Sequence, residues 1–133
     1  MMPFVIDASV AGSWLLPDEN HPEAITALDR LKDDEAFVPT LLWFEIRNLL
    51  LASERRQRIT PVQTAAALSV LQGLPLEVDS EPDSGTTLQL ARDHRLTVYD
   101  AAYLELAVRR HLPLLTFDQQ LATAAKRLAI PTS

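Results

Sequence analysis

The feature that most constrains this chain is its alternation of short apolar runs with longer stretches of helical spacing. Phe4-Val5-Ile6, Ala36-Phe37-Val38-Pro39, Pro75-Leu76-Glu77-Val78, Leu96-Thr97-Val98 and Leu112 to Thr116 each read as a short strand. Between and after them lie helical segments. Ser9 to Leu16 is a short one, stopped by Pro17-Asp18-Glu19-Asn20, and a second starts near His21-Pro22-Glu23 with Ala24, Ile25, Leu28 and Leu31 on one face. Thr40 is expected to cap a third that runs to about Arg56, and Thr60-Pro61 to open a fourth through Ala65, Leu68 and Leu71. Three more are expected at roughly Asp83 to His94, Tyr99 to Arg110, and Asp118 to Ala129. Such alternation is the signature of an α/β domain built on a parallel sheet. With 133 residues the chain fits one domain, residues 1–133, with no linker. The two successive helices between the second and third strands are long for a simple crossover and suggest a protruding helical hairpin.

Composition removes several classes of chemistry. There is no cysteine, so disulfides, thiolate metal sites and cysteine nucleophiles are all excluded. His21, His94 and His111 lie far apart, with no partner at ligand spacing. No basic region precedes the first apolar run, Asp7 interrupts that run, and nothing approaches the ~20 apolar residues of a membrane span, so a soluble cytoplasmic protein is expected. The net charge of -6 argues mildly against a passive nucleic-acid binder. It does not argue against an enzyme whose acids hold divalent cations, because the metal then supplies the positive charge that faces a phosphate.

Four acids stand out. Asp7 follows the first strand directly, at the carboxyl end where ligand crevices of parallel sheets lie. Glu45 lies within the third helix, four and three residues after Leu41 and Leu42 and four and seven before Leu49 and Ala52, which places it on the apolar face. Asp100 follows the predicted strand Leu96 to Val98 and has Tyr103, Leu104 and Ala107 at helical spacing behind it; Asp118 stands in the same relation to the last strand. Plainer roles are open to each: Asp7 helping Ser9 to cap a helix, Asp100 favoured by a helix dipole, and Asp118 or Thr116 serving as an N-cap. Taken together, four converging like charges would repel unless a cation sat among them. Hard oxygen ligands of this kind select Mg²⁺ or Mn²⁺, and metal-assisted phosphodiester hydrolysis follows as the expected chemistry.

Four ordered motifs carry a family resemblance: Val5-Ile6-Asp7-Ala8-Ser9; Glu45 within Leu42 to Asn48; Tyr99-Asp100-Ala101-Ala102-Tyr103-Leu104-Glu105-Leu106-Ala107; and Leu115-Thr116-Phe117-Asp118-Gln119-Gln120-Leu121. In this order and spacing they resemble the PIN-domain ribonucleases, and among these the VapC toxins of type II toxin-antitoxin pairs. The resemblance implies a three-layer α/β/α fold with a parallel sheet of about five strands and a Mg²⁺- or Mn²⁺-dependent endoribonuclease leaving 5′-phosphate and 3′-hydroxyl ends. It implies that Asp7, Glu45 and Asp100 are metal-binding acids, with Asp118 as the fourth, often reaching the metal through water. It makes Ser9 and Thr116 polar helpers that hold a ligand or water. Asn48, one turn from Glu45, could orient that acid or simply lie on the helix surface. The resemblance further implies a VapB-like antitoxin seated on an apolar groove, for which Trp14, Leu15, Leu16, Trp43 and Leu50 are candidates, and a homodimer. Arg47, Arg55, Arg56, Arg58, Arg92 and Arg95 are candidates to bind RNA.

Other classes fit less well. A phosphoacceptor signalling domain wants a lysine after its last strand, where this chain has Thr116-Phe117-Asp118; a haloacid-dehalogenase-like phosphatase needs a second Asp two residues after Asp7, where Ser9 stands. A catalytically silent PIN-like RNA- or protein-binding module remains the alternative, which metal titration separates from an enzyme.

Overall fold

The computed structural model describes residues 2–131. Its elements run β1 (Phe4–Ile6), α1 (Ala8–Leu15), α2 (Pro22–Arg30), β2 (Ala36–Pro39), α3 (Leu42–Arg55), α4 (Pro61–Gly73), β3 (Leu76–Asp79), α5 (Ser84–His94), α6 (Val98–Arg110), β4 (Leu114–Leu115) and α7 (Gln119–Arg127). Side chains near the chain's turns set most helix starts. Thr60 and Gln63 form a reciprocal capping box behind Pro61, Asp83 caps α5, and Thr97 caps α6. Thr40 is not the cap of α3. Leu41 is already helical (φ -66°, ψ -16°) and its carbonyl accepts from Phe44 and Glu45, so the helix begins one residue beyond the hydroxyl that was expected to serve it.

The sheet has four parallel strands in the order β3-β2-β1-β4, one fewer than the roughly five expected. The missing strand is Leu96 to Val98. Arg95 closes α5 in the left-handed region (φ 54°) and Thr97 caps α6, so the chain turns from one helix into the next with only Leu96 between them, buried against the core. Right-handed crossovers place α1 to α4 on one face and α5 and α6 on the other. Packing agrees: α1 touches α2, α3 and α4, while α6 touches α5, α7 and strands β1 and β2. The expected helical pair is present as α3 and α4, but α4 reaches back to pack on α1. Gly12 lets α1 approach α3, since a Cβ there would lie 2.9 Å from Leu49 Cδ1.

The order places a topological switch between β1 and β4, because the chain leaves β1 across one face and arrives at β4 from the other. In open parallel sheets that crevice is where ligands bind. Asp7 stands at the end of β1, and Thr116 to Asp118 follow β4. The central strand β1 is entirely buried, as are Leu42, Ile46 and Leu50 of α3 and Tyr103 to Ala107 of α6.

Two further acids are buried at the other edge of the sheet, and both are paired. Asp79, ending β3, accepts two hydrogen bonds from Arg109 (2.8 and 2.9 Å) and one from Arg110 (2.6 Å). Glu105, 1% exposed, accepts from Arg109 Nε at 2.7 Å. The Arg109 guanidinium is the main reason the Asp79 carboxyl is held well below the ordinary range, followed by a backbone bond from Glu81 and the Arg110 side chain. Removing Arg109 leaves Asp79 with Arg110 alone and leaves the buried Glu105 carboxylate without an ion pair, and breaking such a pair destabilises by about 3 kcal/mol. Arg109→Met should therefore lower the unfolding free energy read from urea titration at pH 7 by that order. An acid whose pKa is depressed on folding stabilises above its unfolded value, about 3.9, so the difference between the two proteins should shrink as pH falls below that value.

Candidate active site

Asp7 is the fixed point of the site. The residue is 4% exposed and its carboxylate accepts from three donors. Oδ1 accepts from Ser9 Oγ (2.6 Å) and from the Val10 amide (3.2 Å), and Oδ2 accepts from Thr116 Oγ1. Asp7 is thus the N-cap of α1, the role that had been assigned jointly to Ser9, while also facing the crevice. The two hydroxyls are in turn locked by the loop after β4: Ser9 Oγ accepts from the Phe117 amide and Thr116 Oγ1 from the Asp118 amide, each at 2.9 Å. Ser9 and Thr116 were expected to hold a ligand or water. Their donated protons go to Asp7 instead, so they clamp the acid. Sheet register makes this possible, because Ile6 lies opposite Leu115 and the next residue on each strand is Asp7 and Thr116.

Glu45, half-buried in the first turn of α3, is oriented across the molecule by Tyr103 of α6, whose hydroxyl donates to Oε1 at 2.6 Å. That bond joins the two helical layers over the end of the sheet. Tyr103 was read from sequence only as an apolar neighbour of Asp100; the available signal was that a buried tyrosine hydroxyl needs a partner. Asn48, expected as the residue that could orient Glu45, makes no hydrogen bond to it among the described residues. It is exposed and, with Glu45, Leu41, Phe44 and Tyr99, lines a cavity of about 500 Å³. Asp100 lies in the first turn of α6, its amide bonded to Thr97 Oγ1 at 3.1 Å, and not at a strand end as expected. Asp118 caps α7 through Oδ1, which accepts from the Leu121 amide at 2.9 Å. Each of the four acids therefore sits at the N-terminus or in the first turn of a different helix, where the helix dipole favours negative charge.

Electrostatics link the four. Burial, then the Asp118 charge, raises Asp7 above its ordinary value, opposed by its bonds from Ser9, Thr116 and Val10. Glu45 is raised by burial and by the charges of Asp100 and Asp7, against the lowering effect of Tyr103. Burial, Asp118 and Asp7 raise Asp100, with Thr97 opposing. Tyr103 is itself raised, by burial first and then by its bond to Glu45. Among the described residues none of the four acids has an ion pair, whereas Asp79 and Glu105 are both held by arginine. Nor do any three carboxylates there stand close enough to cage a cation unaided. The donor set is thus an open one of hard oxygens with excess negative charge. That suits Mg²⁺, which keeps several waters and binds through one or two carboxylates at a time.

The remaining candidates separate. Leu16 and Leu50 are core residues, so they do not belong to a groove. Trp14 and Leu15 do line one, together with Pro17 of the following loop and Ala66, Ala67 and Val70 of α4. Arg58 is engaged by Asp18 (2.9 and 2.6 Å), and Arg47 donates to the Trp43 carbonyl. No helix of the described residues is long and apolar enough to cross a membrane.

Comparison with known proteins places this geometry. Residues 4–127 match the family model of the PIN domain. Ribonuclease VapC3 of Pyrobaculum aerophilum is 32% identical over 133 residues, covering 98% of this chain and 100% of that protein. The solved structure of PAE2754, also from Pyrobaculum aerophilum, superposes with a TM-score of 0.72 at 20% identity over 92% of this chain and 84% of that one. A toxin-antitoxin complex from Klebsiella pneumoniae gives a TM-score of 0.58 at 15% identity over 86% of each chain. At those identities the two structures establish the fold alone.

The Tyr103 bond predicts a measurable change. Tyr103→Phe removes the donor that lowers Glu45 while leaving its burial and its acidic neighbours, so the pKa of Glu45 should rise further. Carbon-detected NMR titration of the Glu45 carboxyl in the metal-free protein checks this, and an unchanged value would contradict it.

Proposed function

The chain belongs to the PIN-domain family, and from that premise we propose that it is a metal-dependent endoribonuclease that hydrolyses RNA phosphodiester bonds and acts as the toxin of a toxin-antitoxin pair. One observation carries the reading: Asp7, Glu45 and Asp100 raise one another or are raised by Asp118, and no cation among the described residues answers them, although the same fold pairs its other buried acids with arginine. The similarity to ribonuclease VapC3 over the whole of that protein supports RNA as the substrate. The Klebsiella toxin-antitoxin complex supports the kind of partner.

In this mechanism Asp7, Glu45, Asp100 and Asp118 hold Mg²⁺ or Mn²⁺, which when bound lowers the pKa of a coordinated water and offsets charge on the attacked phosphate. The chain's own residues do the positioning. Ser9 and Thr116 hold Asp7 in one rotamer, with both oxygens engaged. Tyr103 fixes Oε1 of Glu45, a residue that lines the adjoining cavity. Asp118 uses Oδ1 to cap α7, leaving Oδ2 for a water. The groove beside Trp14 and Leu15 between α1 and α4 is the surface proposed for the antitoxin. The exposed Leu88 and Val98, beside a second apolar cavity at α5 and α6, are the surface proposed for a second copy of the chain.

Incubating the purified protein with a mixed RNA pool tests the reading. Cleavage should require Mg²⁺ or Mn²⁺, stop in EDTA and vanish in Asp100→Asn. Thr116→Val, which frees one side of Asp7 without removing a ligand, should lower the rate about 10- to 100-fold, the usual cost of losing an outer-shell partner. RNA bound but never cut by the metal-loaded protein would make this a binding module.

A further inference from the structure

A second concave surface adjoins the acidic centre and carries the opposite charge. It is a groove of about 280 Å³ between the α5–α6 turn and one face of α7, lined by His94, Arg95, Gln119, Gln120, Thr123 and Arg127 among others. Gln119 directly follows Asp118, and Arg95 lies two residues before the Thr97 cap of the helix that carries Asp100. The groove therefore opens beside two of the four acids and runs down α7 for about 12 Å, the rise over the eight steps from Gln119 to Arg127.

Three observations set it apart. No acidic side chain lines it, in a chain whose net charge is -6. Arg58, Arg109 and Arg110 are tied to carboxylates, whereas Arg95 and Arg127, like Arg55 and Arg56 elsewhere on the surface, have no ion pair or side-chain hydrogen bond among the described residues, and of these two pairs only Arg95 and Arg127 share this groove. His94, which also lines the groove, carries Nδ1, the one buried side-chain nitrogen or oxygen among the described residues without a hydrogen-bond partner.

We propose that this groove binds backbone phosphates of the RNA strand where it leads away from the cleaved bond. The inference rests on the nuclease reading and adds to it where the strand lies. Planar guanidinium groups match phosphate oxygens in a two-pronged geometry. The Gln119, Gln120 and Thr123 side chains offer neutral partners to sugar hydroxyls without reading a base. The acids, once metal-loaded, take the scissile phosphate; the groove supplies the attraction for its neighbours that an acidic surface otherwise lacks.

The test uses the whole protein, kept in EDTA so that the probe stays intact, and a fluorescein-labelled single-stranded 20-mer RNA of mixed sequence titrated across a series of salt concentrations. For single strands the log–log salt slope scales as about 0.7 per neutralised phosphate. Arg95→Gln with Arg127→Gln should make the slope shallower by about 1.4 and weaken binding on the order of tenfold at 0.1 M salt. Arg95→Lys with Arg127→Lys should keep most of the slope. Lys32→Gln, after α2 where the lysine pairs with Asp29 at 2.9 Å, should leave it at the parent value. An unchanged slope in the glutamine pair at the groove, or an equal loss in the Lys32 control, overturns the proposal. The nuclease reading is scored separately, by Mg²⁺-dependent cutting of the same RNA. Cutting with an unchanged slope defeats the groove alone, whereas the expected slopes without cutting defeat the nuclease and leave an RNA-binding groove.

Discussion

Everything at the working end of this molecule depends on burying one carboxylate. Asp7 follows three fully buried residues at the centre of the sheet, where an ionised group without partners costs several kcal/mol. The fold answers with three hydrogen bonds: one amide of its own helix, one hydroxyl from the first turn of α1 and one hydroxyl from the end of β4. Because those hydroxyls also accept from the amides of Phe117 and Asp118, holding Asp7 and shaping the loop after β4 are one structural problem. Parallel pairing of β1 with β4 solves it, by bringing Thr116 level with Asp7.

What the hydrogen bonds leave uncompensated is charge. At Asp79 and Glu105 the same fold supplies guanidinium groups and obtains a stable edge to the sheet. At Asp7, Glu45 and Asp100 it supplies hydroxyls and helix N-termini, which orient carboxylates without neutralising them. Raised pKa values mean that ionising these three acids opposes folding at neutral pH, a contribution that disappears as they take up protons on acidification. That contrast is what supports the proposal that the cluster serves a bound cation. The proposed cation would meet Glu45 at the wall of a wide cavity, keeping waters of its own rather than filling a closed structural site.

Much of this was legible in the chain. The strand–helix alternation led to the α/β fold, and helical spacing placed Glu45 on an inward face. The spacing argument failed at Leu96 to Val98, where a β-rich tripeptide lacked the length and the neighbouring edge a strand requires. It failed again at Thr40, where a good capping residue was bypassed because the backbone turned helical one residue later. Residue type alone could not show that Ser9 and Thr116 give their protons to Asp7, that Tyr103 reaches Glu45 across 58 positions of sequence, or that Arg95 and Arg127 share a groove. Those are facts of tertiary approach. Local signals carried the acids; the groups that aim them come from strands and helices distant in sequence.

The most direct measurement of the central claim is calorimetric titration of the metal-free protein with Mn²⁺ at pH 5 and at pH 7.5, each in two buffers of different ionisation enthalpy. If the acids form an uncompensated cation site, Mn²⁺ binds at both pH values and displaces more protons at pH 5 than at pH 7.5, because metal and proton compete for the same raised carboxylates. The wild type would lose this behaviour on Asp7→Asn substitution and keep it on substitution of Arg109. Absence of Mn²⁺ binding, or binding that the Asp7 change leaves untouched, would contradict the account.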